Sequence, residues 1–139
     1  MYETTYRTTC GIYVLAEREE SILLLKKAKN NKLDIPKGRM ENGETELECV
    51  FRELEEETGI SSIKLEDGFL FEKINEKKGK RKWIRLGILQ KESPIILSPE
   101  HSDRTWIPYY QMPSFHKKWM RDSWKQLNSY LGRIYVKSK

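Results

Sequence analysis

Apolar, aromatic and β-branched residues crowd Tyr6–Ala16 (YRTTCGIYVLA), and that composition predicts a strand. Ser21–Lys26 (SILLLK) predicts a second, with Glu17–Glu20 turning between them. The period then changes. Leu47, Val50, Phe51 and Leu54 recur at i, i+3, i+4 and i+7, which predicts a helix with those four residues turned inward. Thr45 caps that helix, with Glu48 three residues on as the second half of a capping box, and Gly59 suits the left-handed residue that closes it. Strand-like sequence returns in Ile63–Lys73, with a turn or bulge at Asp67-Gly68, and in the alternating stretch Trp83–Gln90. The cationic run Lys77–Lys82 reads as the hairpin tip between them. A last helix is expected from a Ser114 cap to Leu131, with Met120, Trp124, Leu127 and Leu131 as its core stripe and Gly132 ending it; residues 133–139 read as a basic tail. No repeat, linker or low-complexity tract divides the pattern, so a single domain over 1–139 is expected.

The first helix carries a peculiarity. Seven of the residues between 44 and 57 are Glu, against one Arg, and Glu53 stands at i+3 and i+4 from Glu56 and Glu57. Like charges at that spacing cost a helix roughly 0.2–0.5 kcal/mol per pair. A solvated acidic face is one reading. The other is a site for a hard divalent cation, because Mg²⁺ pairs a few carboxylates with substrate phosphates.

The spacing chooses between them. Gly38, five residues, Glu44, seven residues and then Arg52-Glu53-Leu54-Glu55-Glu56-Glu57-Thr58-Gly59-Ile60 resembles the signature of the Nudix hydrolases, G-x5-E-x7-R-E-U-x-E-E-x-G-U with U aliphatic. Every defined position is filled. The resemblance implies an α/β fold, a Nudix-type α/β/α sandwich with a mixed sheet. It also implies hydrolysis of a nucleoside diphosphate linked to another group, with Mg²⁺ or Mn²⁺ as cofactor. The metal ligands it implies are the carbonyl of Gly38 and the carboxylates of Glu53, Glu56 and Glu57. By the same resemblance Lys37 would lie near the phosphates, and Glu44 and Arg52 would brace the loop and helix. The family's W-x-x-P-K-G entry is matched except that Leu33 stands in place of Trp. A further stretch, Glu100-His101 followed by Trp106, resembles the E-H-x-x-x-x-W loop of Nudix enzymes that cleave dinucleoside polyphosphates. That likeness implies Glu100 as a metal ligand facing the helix and His101 as a phosphate contact. Glu53 and Glu100 are the candidates for accepting the proton of the attacking water, with Glu53 preferred.

Charge adds a partner class. Residues 44–57 sum to −6, which leaves +11 on the remainder of a chain whose total is +5. A basic body around an acidic patch suits a polyanionic substrate, a small nucleotide or RNA. Trp83, beside the basic tip, and Tyr110 are the candidate base-stacking residues. The substrate implied by the resemblance of the Glu100 loop and the P-K-G entry is a dinucleoside polyphosphate such as diadenosine tetraphosphate. The alternatives are a nucleoside triphosphate, an RNA 5′ end, a diphosphoinositol polyphosphate, or binding of nucleotide or RNA without cleavage. No apolar run approaches the ~20 residues of a membrane-crossing helix, and the first residues lack the pattern of a signal peptide. Cys10 and Cys49 are expected buried and reduced, which with the rest suggests the cytoplasm.

Overall fold

The structure, a computed structural model, describes residues 5–136. Strand β1 (Arg7–Ala16) is followed by β2 (Ser21–Lys27) and two short strands, β3 (Leu33–Asp34) and β4 (Lys37–Arg39). Helix α1 (Glu46–Thr58) comes next, then β5 (Ile63–Asn75), β6 (Lys80–Leu89), β7 (His101–Pro108) and helix α2 (Lys118–Val136). All seven strands form one mixed sheet. β1 and β6 run parallel, and every other pairing is antiparallel.

The two faces of that sheet are buried by the two helices. Even-numbered β1 residues Cys10, Ile12 and Val14 pack with Leu23, Leu25 and α1 residues Cys49, Val50 and Leu54. Odd-numbered Tyr13 and Leu15 pack with Ile84, Leu86 and α2 residues Trp124, Leu127 and Leu131. The expected α/β/α sandwich is therefore present. Among the described residues no helix is long and apolar enough to cross a membrane.

One detail of the pairing positions everything else. β1 and β2 are paired only next to their turn, at Leu15–Ile22 and Ala16–Ser21. At the far end they part, and the segment from Leu33 to Arg39 fills the gap. β3 pairs with β2 on one side of it, and β4 pairs with β1 on the other. Residues 37–39 form a strand here because β1 offers them an open edge.

Three expectations change. Leu47 and Phe51 are 40% and 41% exposed, so they are not core residues. The buried set of α1 is Cys49, Val50, Leu54, Glu57 and Thr58, and the helix is rotated to bring a carboxylate under cover. α2 begins at Lys118, not after Ser114, because Phe115 turns in against Trp124 before the helix starts. It also runs through Gly132 to Val136; a Cβ at Gly132 would meet nothing within 4 Å, and a glycine in a helix interior costs only about 1 kcal/mol. The bulge expected near Asp67-Gly68 is found: the β5–β6 register jumps between Leu65 and Leu70. Cys10 and Cys49 are free and buried.

Candidate active site

α1 is fixed at both ends. Thr45 accepts from the Glu48 backbone and Glu48 accepts from that of Thr45, and Gly59 takes φ 76° and donates to the Glu55 carbonyl. Held this way, the helix presents Glu53 and Glu57 to the peptide joining Lys37 and Gly38. Glu57 Oε2 accepts from the Lys37 backbone N–H at 2.9 Å. Glu53 lies so close to Gly38 that a Cβ there would stand 2.1 Å from its carboxyl carbon. Gly38 is required for close approach and not for a turn. Its carbonyl lies 3.6 Å from the Cys49 thiol.

The like charges are managed by a single guanidinium. Arg52 bonds Glu44 at 2.6 and 3.0 Å, Glu53 at 2.9 Å and Glu56 at 3.3 Å, and donates to the Arg39 carbonyl at 3.0 Å. Hydrogen bonding to Arg52 holds the Glu44 carboxyl down to about 2, while Glu44 in turn accepts from the Glu41 backbone. Through these bonds the pair joins α1 to the chain at Arg39 and Glu41. Glu56, with 57% of its side chain exposed, faces outward. Burial raises the pKa of Glu53, with Arg52 opposing and Glu56 and Glu100 adding to the rise. Burial also pushes Glu57 up to about 7, against the Lys37 hydrogen bond and His101.

His101 is not at the surface. Only 1% of its side chain is exposed, so it cannot touch a phosphate as placed, and the expected role falls away. Its Nε2 lies 2.9 Å from Asp34 Oδ2, and its Nδ1 faces Glu57 Oε1 at 3.7 Å with no hydrogen-bond partner. Asp34, which sequence reasoning misses, also takes the Lys37 ammonium at 3.1 Å. Burial disfavours its charge, but His101 and Lys37 together hold its pKa below the ordinary value. The available signal is a lone acid in the apolar run Leu33–Ile35. Asp34, His101, Glu57 and Lys37 therefore close a ring joining β3, β7, α1 and β4 at the gap in the sheet. Glu100 ends just before β7, exposed, with its carbonyl accepting from Ala28, and near enough to Glu53 to influence it.

Two base-stacking candidates fare differently. Trp83 lies on the α1 face in the row that runs through Cys10 to Gly38. The Arg81 guanidinium covers its ring at 3.9 Å, and its indole N–H donates to Glu72. Tyr110 follows Pro108, which pairs with Ser21, whereas Glu100 precedes His101, which pairs with Lys27. Six residues of strand, about 20 Å, separate those ends, so Tyr110 is not brought to the carboxylates. A cavity of about 1010 Å³ lined by Arg18, Lys91, Arg104 and Trp106 also lies at the β1–β2 turn, away from them.

A hard divalent cation suits this donor set. Glu53, Glu57 and the Gly38 carbonyl are oxygen donors gathered at one short strand, with Glu56 and Glu100 at the rim, and the glycine gives the Glu53 carboxyl the space that a methyl would fill. Ligand atoms of Asp34, Glu57 and His101 also lie within 4.8 Å of one another. There, however, His101 meets the two acids with opposite ring nitrogens, so it bridges them instead of gathering them at one point.

The family profile of the NUDIX domain matches residues 5–127. Among curated proteins, an RNA pyrophosphohydrolase of Ruthia magnifica subsp. Calyptogena magnifica is 32% identical over 97 residues, covering 66% of this chain and 49% of its own. The chain thus spans about half the length of that relative. An RNA pyrophosphohydrolase of Marinomonas sp. (strain MWYL1) is 26% identical over 146 residues, covering 88% of this chain and 90% of its own. Among solved structures, an Ap4A hydrolase of C. elegans in a binary complex superposes with a TM-score of 0.77 at 20% identity, covering 89% of this chain and 98% of its own. The E. coli dihydroneopterin triphosphate pyrophosphohydrolase does so with a TM-score of 0.68 at 18% identity, covering 91% and 99%. At these identities the structures testify to the fold alone.

Proposed function

We propose, from the premise that the chain belongs to the NUDIX domain family, that it is a metal-dependent pyrophosphohydrolase acting on the 5′-polyphosphate end of RNA. The observation that carries the chemistry is the pair of partly or fully buried carboxylates, Glu53 and Glu57, set against the peptide of Lys37 and Gly38. Mg²⁺ or Mn²⁺, held by Glu53, Glu56, Glu57, Glu100 and the Gly38 carbonyl, would supply charge neutralisation at the phosphates and acidify water. The protein's own groups do the rest. Arg52 keeps Glu53 in place, and Lys37 offers an ammonium to the departing phosphate once it leaves Asp34. Glu53 is the proposed acceptor of the water's proton, with Glu100 the alternative.

The choice of RNA rests on two supports. The curated relatives carry RNA pyrophosphohydrolase as their name, and the contacts offered for a dinucleoside polyphosphate are reduced by the burial of His101, the expected phosphate contact, and by the distance of Tyr110, an expected base-stacking residue. A dinucleoside polyphosphate remains the second reading, favoured by Glu100 at the mouth of the site. The test is product analysis with Mg²⁺ on 5′-triphosphorylated RNA, diadenosine tetraphosphate, a nucleoside triphosphate and a diphosphoinositol polyphosphate, run in ¹⁸O-labelled water. RNA consumed fastest is the expected outcome. Preferential loss of diadenosine tetraphosphate transfers the assignment to the second reading, and no cleavage of any phosphoanhydride ends the enzymatic one.

A further inference from the structure

The sheet face that carries α2 extends beyond the helix. Strand alternation puts Arg7, Thr9 and Gly11 on the same side as the α2-packed Tyr13 and Leu15. In register, Thr9 stands opposite Arg39 on one side and Lys82 on the other, and Lys82 stands opposite Lys73. One row across four strands therefore reads Lys73, Lys82, Thr9, Arg39. The row outside it reads Asn75, Lys80, Arg7. The row inside it ends at Lys37, opposite Gly11. The Lys82 ammonium sits 5.5 Å from the Trp119 ring of α2, which fixes the side. Arg7, Arg39, Lys73 and Lys80 are exposed.

Like charges directly opposite one another destabilise a sheet, and Lys73 against Lys82 is such a pair. Burial, and then the nearby Lys80, Lys37 and Lys73, weaken the hold of Lys82 on its proton. By strand and residue spacing the three rows cover about 14 Å across and 13 Å along the strands, farther than a polyphosphate held at Lys37 needs. The non-cationic members of the two outer rows are Thr9 and Asn75, which hydrogen-bond. A membrane-docking face would interleave apolar residues instead.

We propose that this uncovered end of the sheet is a platform for the sugar-phosphate backbone of RNA, delivering the 5′ end past Lys37 to Gly38, Glu53 and Glu57. The inference rests on the RNA reading above but is tested apart from it. The probe is a 3′-fluorescein decaribonucleotide with a 5′-hydroxyl, titrated in EDTA so that neither metal nor cleavage enters. Binding is expected to weaken steeply with salt. The double variant Lys73→Glu with Arg7→Glu is expected to lose at least ten-fold in affinity at low salt. Its salt dependence should also be flatter, by about 0.7 in log–log slope for each phosphate no longer neutralised. An unaltered melting temperature shows that the variant is folded. In turnover, the variant's ratio of KM for a 5′-triphosphorylated decamer to KM for a 5′-triphosphorylated dinucleotide, too short to reach the platform, should rise above the parent's. No binding of the decamer, or equal binding by the variant, overturns the platform, as does a parallel titration of phosphatidylserine vesicles in which only vesicle binding is lost by the variant. If the decamer binds as described while no 5′-triphosphate is cleaved, the platform stands and the enzymatic reading falls. If cleavage is seen but the KM ratio does not move, the reverse holds.

Discussion

The two faces of the sheet meet the same problem with opposite charges near the same gap between β1 and β2. On the α1 face, acids are crowded together, and Arg52 ties Glu44, Glu53 and Glu56 into one lattice of charge-assisted hydrogen bonds. On the α2 face, cations are crowded in cross-strand register, Lys73 against Lys82, flanked by Lys80 and Arg39. One side is partly neutralised from within the fold, by Arg52 and by Arg85 on Glu46. The other has no acid beside the cations in its rows, which under the proposed function suits a ligand that bears phosphates.

The comparison can be broken on the acidic side first. Glu53→Gln and Glu57→Gln are each expected to lower turnover by about 10³-fold, followed by ³¹P NMR of the released phosphate. Losses below ten-fold would remove these side chains from the chemistry. Next, His101→Ala should weaken Mn²⁺ binding about 10–100-fold, measured by titration of the Mn²⁺ EPR signal. His101→Gln, which keeps a donor to Asp34 where Nε2 stood, should recover part of it, and a melting curve without metal should not track that recovery.

A third prediction concerns stability and pH. Burial raises Glu57 to about 7 in the folded protein, against an ordinary carboxyl value near 4.3 when unfolded. The folded state therefore holds the proton more tightly, and metal-free protein loses stability as pH rises from about 4.3 through 7. Glu57→Gln removes that loss. In EDTA at pH 8 it should be more stable than the parent, on the order of 1–2 kcal/mol, with little difference at pH 4.5. Urea denaturation at both pH values checks the sign. The smallest expected effect is at Tyr110: Tyr110→Ala should change KM less than two-fold, because the residue lies at the other end of β2 and β7.

How far the sequence reaches follows the range of the interactions involved. The caps of α1 at Thr45 and Gly59, and the grouping of Glu53 and Glu57, are local along the chain, and spacing exposes them. The inward stripe fails at Leu47 and Phe51 because counting apolar positions assigns carboxylates to solvent, whereas here Glu57 is one of the buried residues. His101 is misplaced by sequence because its partner, Asp34, lies 67 residues away, on a two-residue strand that exists only where β1 and β2 part. Tyr110 is misplaced for a similar reason. The β7–β2 register puts it beyond the distant end of the strand, and no periodicity in residues 101–110 encodes that register.

Gly38 offers a tool as well as an explanation. Placing one methyl group there would force the Glu53 carboxyl out of position while leaving every ionisable group, and hence the protein's whole electric field, in the chain. Gly38→Ala should attract a polyanion as strongly as the parent and fail to cut it. Such a charge-matched, inert twin would separate capture from cleavage in any assay, a separation that no carboxylate substitution can make cleanly.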